Sequence, residues 1–207
     1  MISRISSIAA MSALVLLLSG CTVNVDKNAA GKEKKVQIDT PFGGLHVKTD
    51  EVKALDLGLP EYPGSTIEAD KDGNKSVDVH LGFGDWQLRV KAVKYKSSDS
   101  QDKVLAFYKK SLGQYGDVLT CQNGKTLGQP TITKDGLTCE KKKHSNVKVD
   151  TLNDEGIDLD EELQLKTGSE SHQRIVGFNK ESGDKNTHFA LVMMDLPKGL
   201  NSKSESN

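Results

Sequence analysis

Aromatic residues make up only 5% of this 207-residue chain, with a single tryptophan, and proline occurs five times. A core with so few rings must be largely aliphatic. Neither sign of charge dominates, since 28 Lys and Arg stand against 29 Asp and Glu. That balance argues against strong attraction to nucleic acid or to an anionic membrane surface. No apolar run approaches the ~20 residues a membrane-spanning helix needs. Familiar chemical signatures are missing as well: no Gly-x-Ser-x-Gly, no phosphate-cradling Gly loop, no His-Glu-x-x-His and no Cys-x-x-Cys. The "GFG" at Gly82 to Gly84 lacks the following helix of a dinucleotide fingerprint and reads as a strand turn.

What is present begins at the N-terminus. Residues 1–20 carry one charge, Arg4, then an apolar segment from Ile8 to Leu18, then the small residues Ser19 and Gly20. This is the layout of an export signal. Leu18, Ser19, Gly20 and Cys21 together resemble the lipobox of bacterial lipoproteins, matching it at all four positions over a stretch of about 21 residues. The resemblance implies cleavage between Gly20 and Cys21 and transfer of acyl chains to the Cys21 thiol. Each buried methylene contributes ~0.8 kcal/mol, and two or more chains hold a soluble body at a bilayer. The implied location is the bacterial cell envelope. Thr22, being other than Asp, is compatible with onward transport to the outer membrane where the organism has one.

Three cysteines is an odd number for an exported chain, and lipidation of Cys21 accounts for the oddness. Cys121 and Cys139 remain, and an oxidising compartment favours a disulfide between them. The alternatives are a metal site, for which no His stands at ligand spacing, or two buried free thiols.

Pattern along the chain divides it into segments. After the leader, residues 21–35 read as a small, charged, solvated tether. Residues 36–60 read as an N-terminal hairpin and connector: Val36 and Ile38 alternate, then Leu45 and Val47 after a Gly-rich turn. Residues 61–197 read as the main domain, and residues 198–207 as a disordered tail. Within the domain, Asp72 and Gly73 between two alternating runs predict a hairpin. Val77, Val79, Leu81 and Phe83 share one face, with Asp78 and His80 on the other. Trp86, Leu88 and Val90 continue the alternation, but the parity changes near Ala92, which predicts a bulge or a strand covered on both sides.

"SSDSQDKVLAFYKKSLGQYG" is the convincing helix. Ser98 with Gln101 has capping-box spacing, Ser100 competes as N-cap, and Val104, Phe107, Tyr108 and Leu112 form an apolar stripe. "DVLTCQ" and "LTCEKK" read as strands, and "ELQLKT", "HQRIVGF" and "HFALVMMDL" as a closing meander. One principal helix among many short strands predicts an α+β domain, a mainly antiparallel sheet with the helix packed on it. "YPGS" followed by this helix is similar to a pattern in uncharacterised exported bacterial proteins, carried here by Tyr62, Pro63, Gly64, Val104, Phe107, Tyr108, Leu112 and Gly116. It implies a helix-on-sheet module and no particular activity.

The five histidines are scattered, with His172 and His188 on the meander the pair most able to converge. "DTLNDEGIDLDEEL" fails the register of a calcium loop, having Thr151 first and Asp158 eighth, and reads as a solvated turn. No catalytic residue, metal or cofactor is predicted. The functional expectation is therefore a lipid-anchored, non-catalytic binding or structural module that meets an envelope protein or polymer. The alternative is an anchored enzyme acting on wall polymer or a small molecule, with Asp, Glu or His brought together by folding.

Overall fold

The computed structural model describes residues 20–27, 33–70, 73–140, 163–179 and 184–197. The expected leader up to Ser19, the acidic stretch after Thr151 and the tail from residue 198 lie outside the described residues. Twelve named strands and helices follow in order. They are β1 Thr22–Lys27, β2 Glu33–Thr40, β3 Gly43–Thr49, β4 Thr66–Ile67, β5 Ser76–Phe83, β6 Trp86–Ser97, α1 Gln101–Leu112, β7 Leu119–Gln122, β8 Lys125–Thr126, β9 Gln164–Gly168, β10 His172–Asn179 and β11 Thr187–Asp195. Ten strands form one path, β1-β2-β3-β5-β6-β11-β10-β9-β7-β8, and β4 pairs with β6 beside it. All pairings are antiparallel. The chain is α+β in the expected sense, with a larger sheet than the sequence suggested.

Several expectations are corrected. Residues 21–35 are not an unstructured tether throughout, because β1 and the start of β2 occupy much of that span and pair with each other. Val23 and Val25 alternate with polar neighbours and stand opposite Ile38 and Val36, so the short strand has an apolar partner row to join. The hairpin expected within residues 36–60 does form, as β2 and β3 with Val36 opposite Val47 and Ile38 opposite Leu45, but it is no separate unit, since β3 pairs with β5 from Val77 to Phe83 and carries the sheet straight into the main body. The two runs flanking Asp72 and Gly73 do not pair with each other as a hairpin, although backbone bonds from Gly73 N to Asp70 O and from Asp70 N to Asn74 O close a turn between them. β4 pairs with β6 instead, and β5 meets β6 across the Gly84–Asp85 turn. Cys139 lies just after an isolated bridge from Thr138 to Ile132, not in a strand.

The parity change at Ala92 is coverage on two sides, with no bulge: β6 keeps unbroken register with both β5 and β11. Val93 and Tyr95 face the main core with Leu191 and Phe189 opposite them. Val90 and Ala92 face the other way and pack with Ile175, Ala190 and Val192. A strand buried on both faces loses simple alternation.

Helix α1 lies on the Tyr95 side, presenting fully buried Val104, Tyr108 and Leu112, the predicted stripe, with Phe107 half-buried at its flank. Ser100 is its N-cap residue, but neither the Ser100 hydroxyl nor a Ser98 capping box closes the first turn. An Asp99–Lys103 ion pair of 2.9 Å sits there instead. A 3-10 turn, Gly113–Tyr115, extends the helix, and Gly116 at φ 120° ends it in a conformation that favours glycine. The Tyr62 ring meets Phe107 edge-on at 5.1 Å, and its hydroxyl donates to Asp99 at 2.8 Å. Tyr62, Phe107 and Tyr108 of the exported-protein pattern thus meet at one joint between helix, connector and sheet.

Candidate functional site

The pairing register sorts the N-terminal half of the sheet into rows. One face carries Val25, Val36, Val47, Val79, Val90 and Met194 across six successive strands, and beside them Val23, Ile38, Leu45, Leu81 and Leu88. Directly opposed residues share a face, so these rows are purely aliphatic. The reverse face carries Asn24, Gln37, His46, His80, Arg89 and Asp195, then Asp26, Lys35, Lys48, Asp78 and Lys91.

At one end of these rows sits the sequence-predicted attachment point. Cys21 is exposed and unbridged, one residue before β1. Thr22 opposes Asp39, and one step further along the same register brings Cys21 beside Thr40. Gly20 lies so close to the β2–β3 turn that a Cβ on it would stand 2.7 Å from Pro41 Cγ. The predicted cleavage position therefore lies at the sheet's end and not at the far end of a spacer.

On the polar face His46 and His80 stand edge-on with ring centroids 6.1 Å apart. His46 Nε2 bonds Asp39 Oδ1 at 2.9 Å, and His80 Nε2 bonds Gln87 Oε1 at 2.6 Å. The His46 ring, and then the Gln37 amide, hold the Asp39 carboxyl below the usual carboxylate range. Asp78 accepts two bonds from the Arg89 guanidinium, at 2.9 and 3.3 Å. A cleft between Asn24, Asp26, Lys35, Gln37, His46 and Lys48 holds about 70 Å³. Small-molecule sites usually need roughly 300–1,000 Å³, so this cleft is a surface furrow between paired charges.

The sequence did not single out the His46–His80 pair, and the pair it did favour does not meet. His172 opposes Asp195 while His188 opposes Asn179, at opposite ends of the β10–β11 hairpin. His172 Nδ1 bonds Asp195 at 2.9 Å. His188 is 4% exposed and lies between two carboxylates, Nδ1 to Glu68 and Nε2 to Asp184, each at 2.8 Å. The backbone N–H of Asn186 first, then the His188 ring, pull the Asp184 carboxyl down to about 2. A ring with both nitrogens committed to carboxylates offers a substrate neither lone pair nor proton. This cluster ties the residue after β4 to the start of β11, and its chemistry is that of a clasp.

Cys121 and Cys139 are disulfide-bonded, with Cα atoms 5.5 Å apart. With Leu119 and Leu137 they form a small buried cluster under the loop that follows β8. Among the described residues, no group of three or more His, Cys, Asp or Glu is placed to hold a metal ion, and no helix is long and apolar enough to cross a membrane. In comparisons with known proteins, no family model, no curated protein and no solved structure matches the chain.

Proposed function

We propose that this chain is a lipid-anchored protein of the bacterial cell envelope, acylated on Cys21 after cleavage behind Gly20, and that it acts there as a non-catalytic binding or structural module. The observation that carries the reading is the four-residue lipobox from Leu18 to Cys21 behind an apolar segment headed by Arg4. The exposure of Cys21 at the start of the folded sheet supports it, because an acyltransferase needs an accessible thiol. Thr22 favours the outer membrane where there is one. A disulfide between Cys121 and Cys139 suits an oxidising compartment outside the inner membrane.

Support for a non-catalytic role comes from the side chains that folding brings together. His188 is enclosed by Glu68 and Asp184, and the charges of the polar face are largely satisfied by one another. The partner is an envelope protein or polymer, not nucleic acid.

Intact-mass measurement of the chain purified from a bacterial membrane tests the reading. The expected result is loss of residues 1–20 and a gain equal to a diacylglyceryl group with or without a further acyl chain. Cys21→Ser is expected to retain the leader or to leave the membrane fraction. A mature chain with Cys21 bare and released into the medium would overturn the proposal.

A further inference from the structure

The two hairpin tips nearest Cys21 carry the most conspicuous exposed rings of the described chain. Phe42, on the β2–β3 turn, is 84% exposed, and Phe83, at the end of β5, is 50% exposed. Trp86 begins β6 directly opposite Phe83, with ring centroids 6.1 Å apart. Gly43 opposes Phe83 from β3 and Thr40 from β2, so the row runs from Trp86 through Phe83, Gly43 and Thr40 to the place of Cys21. Behind it comes the aliphatic row of Val23, Ile38, Leu45, Leu81 and Leu88.

We infer that this end of the sheet is a bilayer-contact surface, in which Phe42, Phe83 and Trp86 enter the lipid interface beside the acyl chains of Cys21. The inference rests on the proposed lipid anchor and goes beyond it by assigning residues of the folded body to the membrane.

Three observations select a bilayer as the occupant. First, β1 starts at Thr22, so an acylated Cys21 leaves no spacer, and at ~3.3 Å per residue the tips cannot be carried clear of the headgroups. Anchoring one residue away makes contact effectively intramolecular, so even weak apolar insertion is populated. Second, the tips bear Trp and Phe, rings that suit the boundary between headgroups and acyl chains. Third, residues 39–43 and 83–87 contain Asp39 and Asp85 and no Lys or Arg. Contact of this kind is driven by apolar area and not by anionic lipid, and the expected binding is insensitive to salt.

Trp86 is the only tryptophan of the chain, so its fluorescence reports this surface alone. The full lipidated protein, purified from membranes and checked by intact mass, is reconstituted into zwitterionic phosphatidylcholine vesicles with brominated acyl chains. The expected result is a blue shift of Trp86 emission and loss of most of its intensity relative to unbrominated vesicles, unchanged by added salt. Phe42→Ser, a change at an exposed turn, is expected to weaken the quenching while acylation persists, and Phe42→Ser with Phe83→Ser to weaken it further. An acylated chain whose Trp86 emission stays water-like and unquenched sinks this inference and leaves the anchor standing. Emission that is shielded yet unquenched by bromine, and that reverts on dilution of protein in the vesicles, also overturns it in favour of a second copy. A chain with Cys21 bare fails at the mass measurement, which marks failure of the anchoring reading itself.

Discussion

The ring of Phe83 lies over the bare Cα of Gly43, so that a methyl group there would stand 2.5 Å from Phe83 Cδ1 and 2.1 Å from the carbonyl oxygen of Gly82. The second distance involves backbone, which cannot turn aside as a side chain can. Gly43→Ala is therefore expected to part β3 from β5 at this end, at a cost of about 1–3 kcal/mol, the range for forced overpacking. A lower urea midpoint with an unchanged slope would show it. A midpoint equal to the parent's would mean that the two strands do not approach this closely in solution.

The Cys121–Cys139 bond spans 18 positions and is buried with Leu119 and Leu137. Replacing both cysteines by serine is expected to lower stability by about 3 kcal/mol on the chain-entropy view of a loop this size. Two buried hydroxyls in an apolar cluster would add to the loss. Urea unfolding of the double variant, beside the parent with and without reductant, measures both parts.

Acid should weaken the fold in a defined window. The Asn186 backbone N–H and the His188 ring hold the Asp184 carboxyl at about 2 against an ordinary 3.8. Asp39 is lowered by His46 and Gln37, Glu51 by Lys35, and Asp99 by Lys103 and Tyr62. A carboxyl whose value is depressed in the folded state contributes stability that is fully present above its unfolded value and is lost as pH falls through the folded one. Urea midpoints are thus expected to be level from about pH 5 to neutral pH and to fall between about pH 4 and pH 2. Asp184→Asn should lower the plateau and make that acid limb shallower. An unaltered limb would remove Asp184 from the account.

Legibility in the sequence followed the range of the interactions that decide each element. Helix α1 was readable because its apolar stripe is intact over its whole length, and strands β9 to β11 because they are short apolar runs that pair in chain order, β9 with β10 and β10 with β11, although the further partners β7 and β6 lie far away in sequence. Strand β1 was hidden by its charged surroundings, since "TVNVDK" becomes apolar on one side only when Val36 and Ile38 stand opposite. The Gly73 signal marks a turn that does close, between Asp70 and Asn74, but partners further off decide what the flanking runs pair with. Val77, Val79 and Leu81 find Thr49, Val47 and Leu45 on one side and Ala92, Val90 and Leu88 on the other. The site residues were harder still. His46 meets His80 only through the β3–β5 register, and Glu68 reaches His188 across 120 positions, a distance no spacing rule covers. The motif ending at Cys21 stands in the sequence, but the placement of Gly20 against Pro41 does not.

Phe189 is where the scarce rings are concentrated. It stacks on Tyr95 at 5.7 Å, meets Tyr108 at 5.5 Å and approaches Tyr62 and Phe178 at 6.4 Å each. Being 2% exposed, it cannot be replaced by solvent or by a simple shift of one neighbour. Phe189→Ala is expected to cost about 3–5 kcal/mol, through lost burial and the cavity left between helix α1 and the sheet. Phe42→Ala offers the contrast: the same atoms are removed from a ring that is 84% exposed, so its expected effect stays within about 0.5 kcal/mol. Thermal and urea unfolding of the two variants, measured side by side in detergent-free buffer on a Cys21→Ser background, separate the two rings. Equal losses would mean that the aromatic cluster at Phe189 does not hold helix and sheet together.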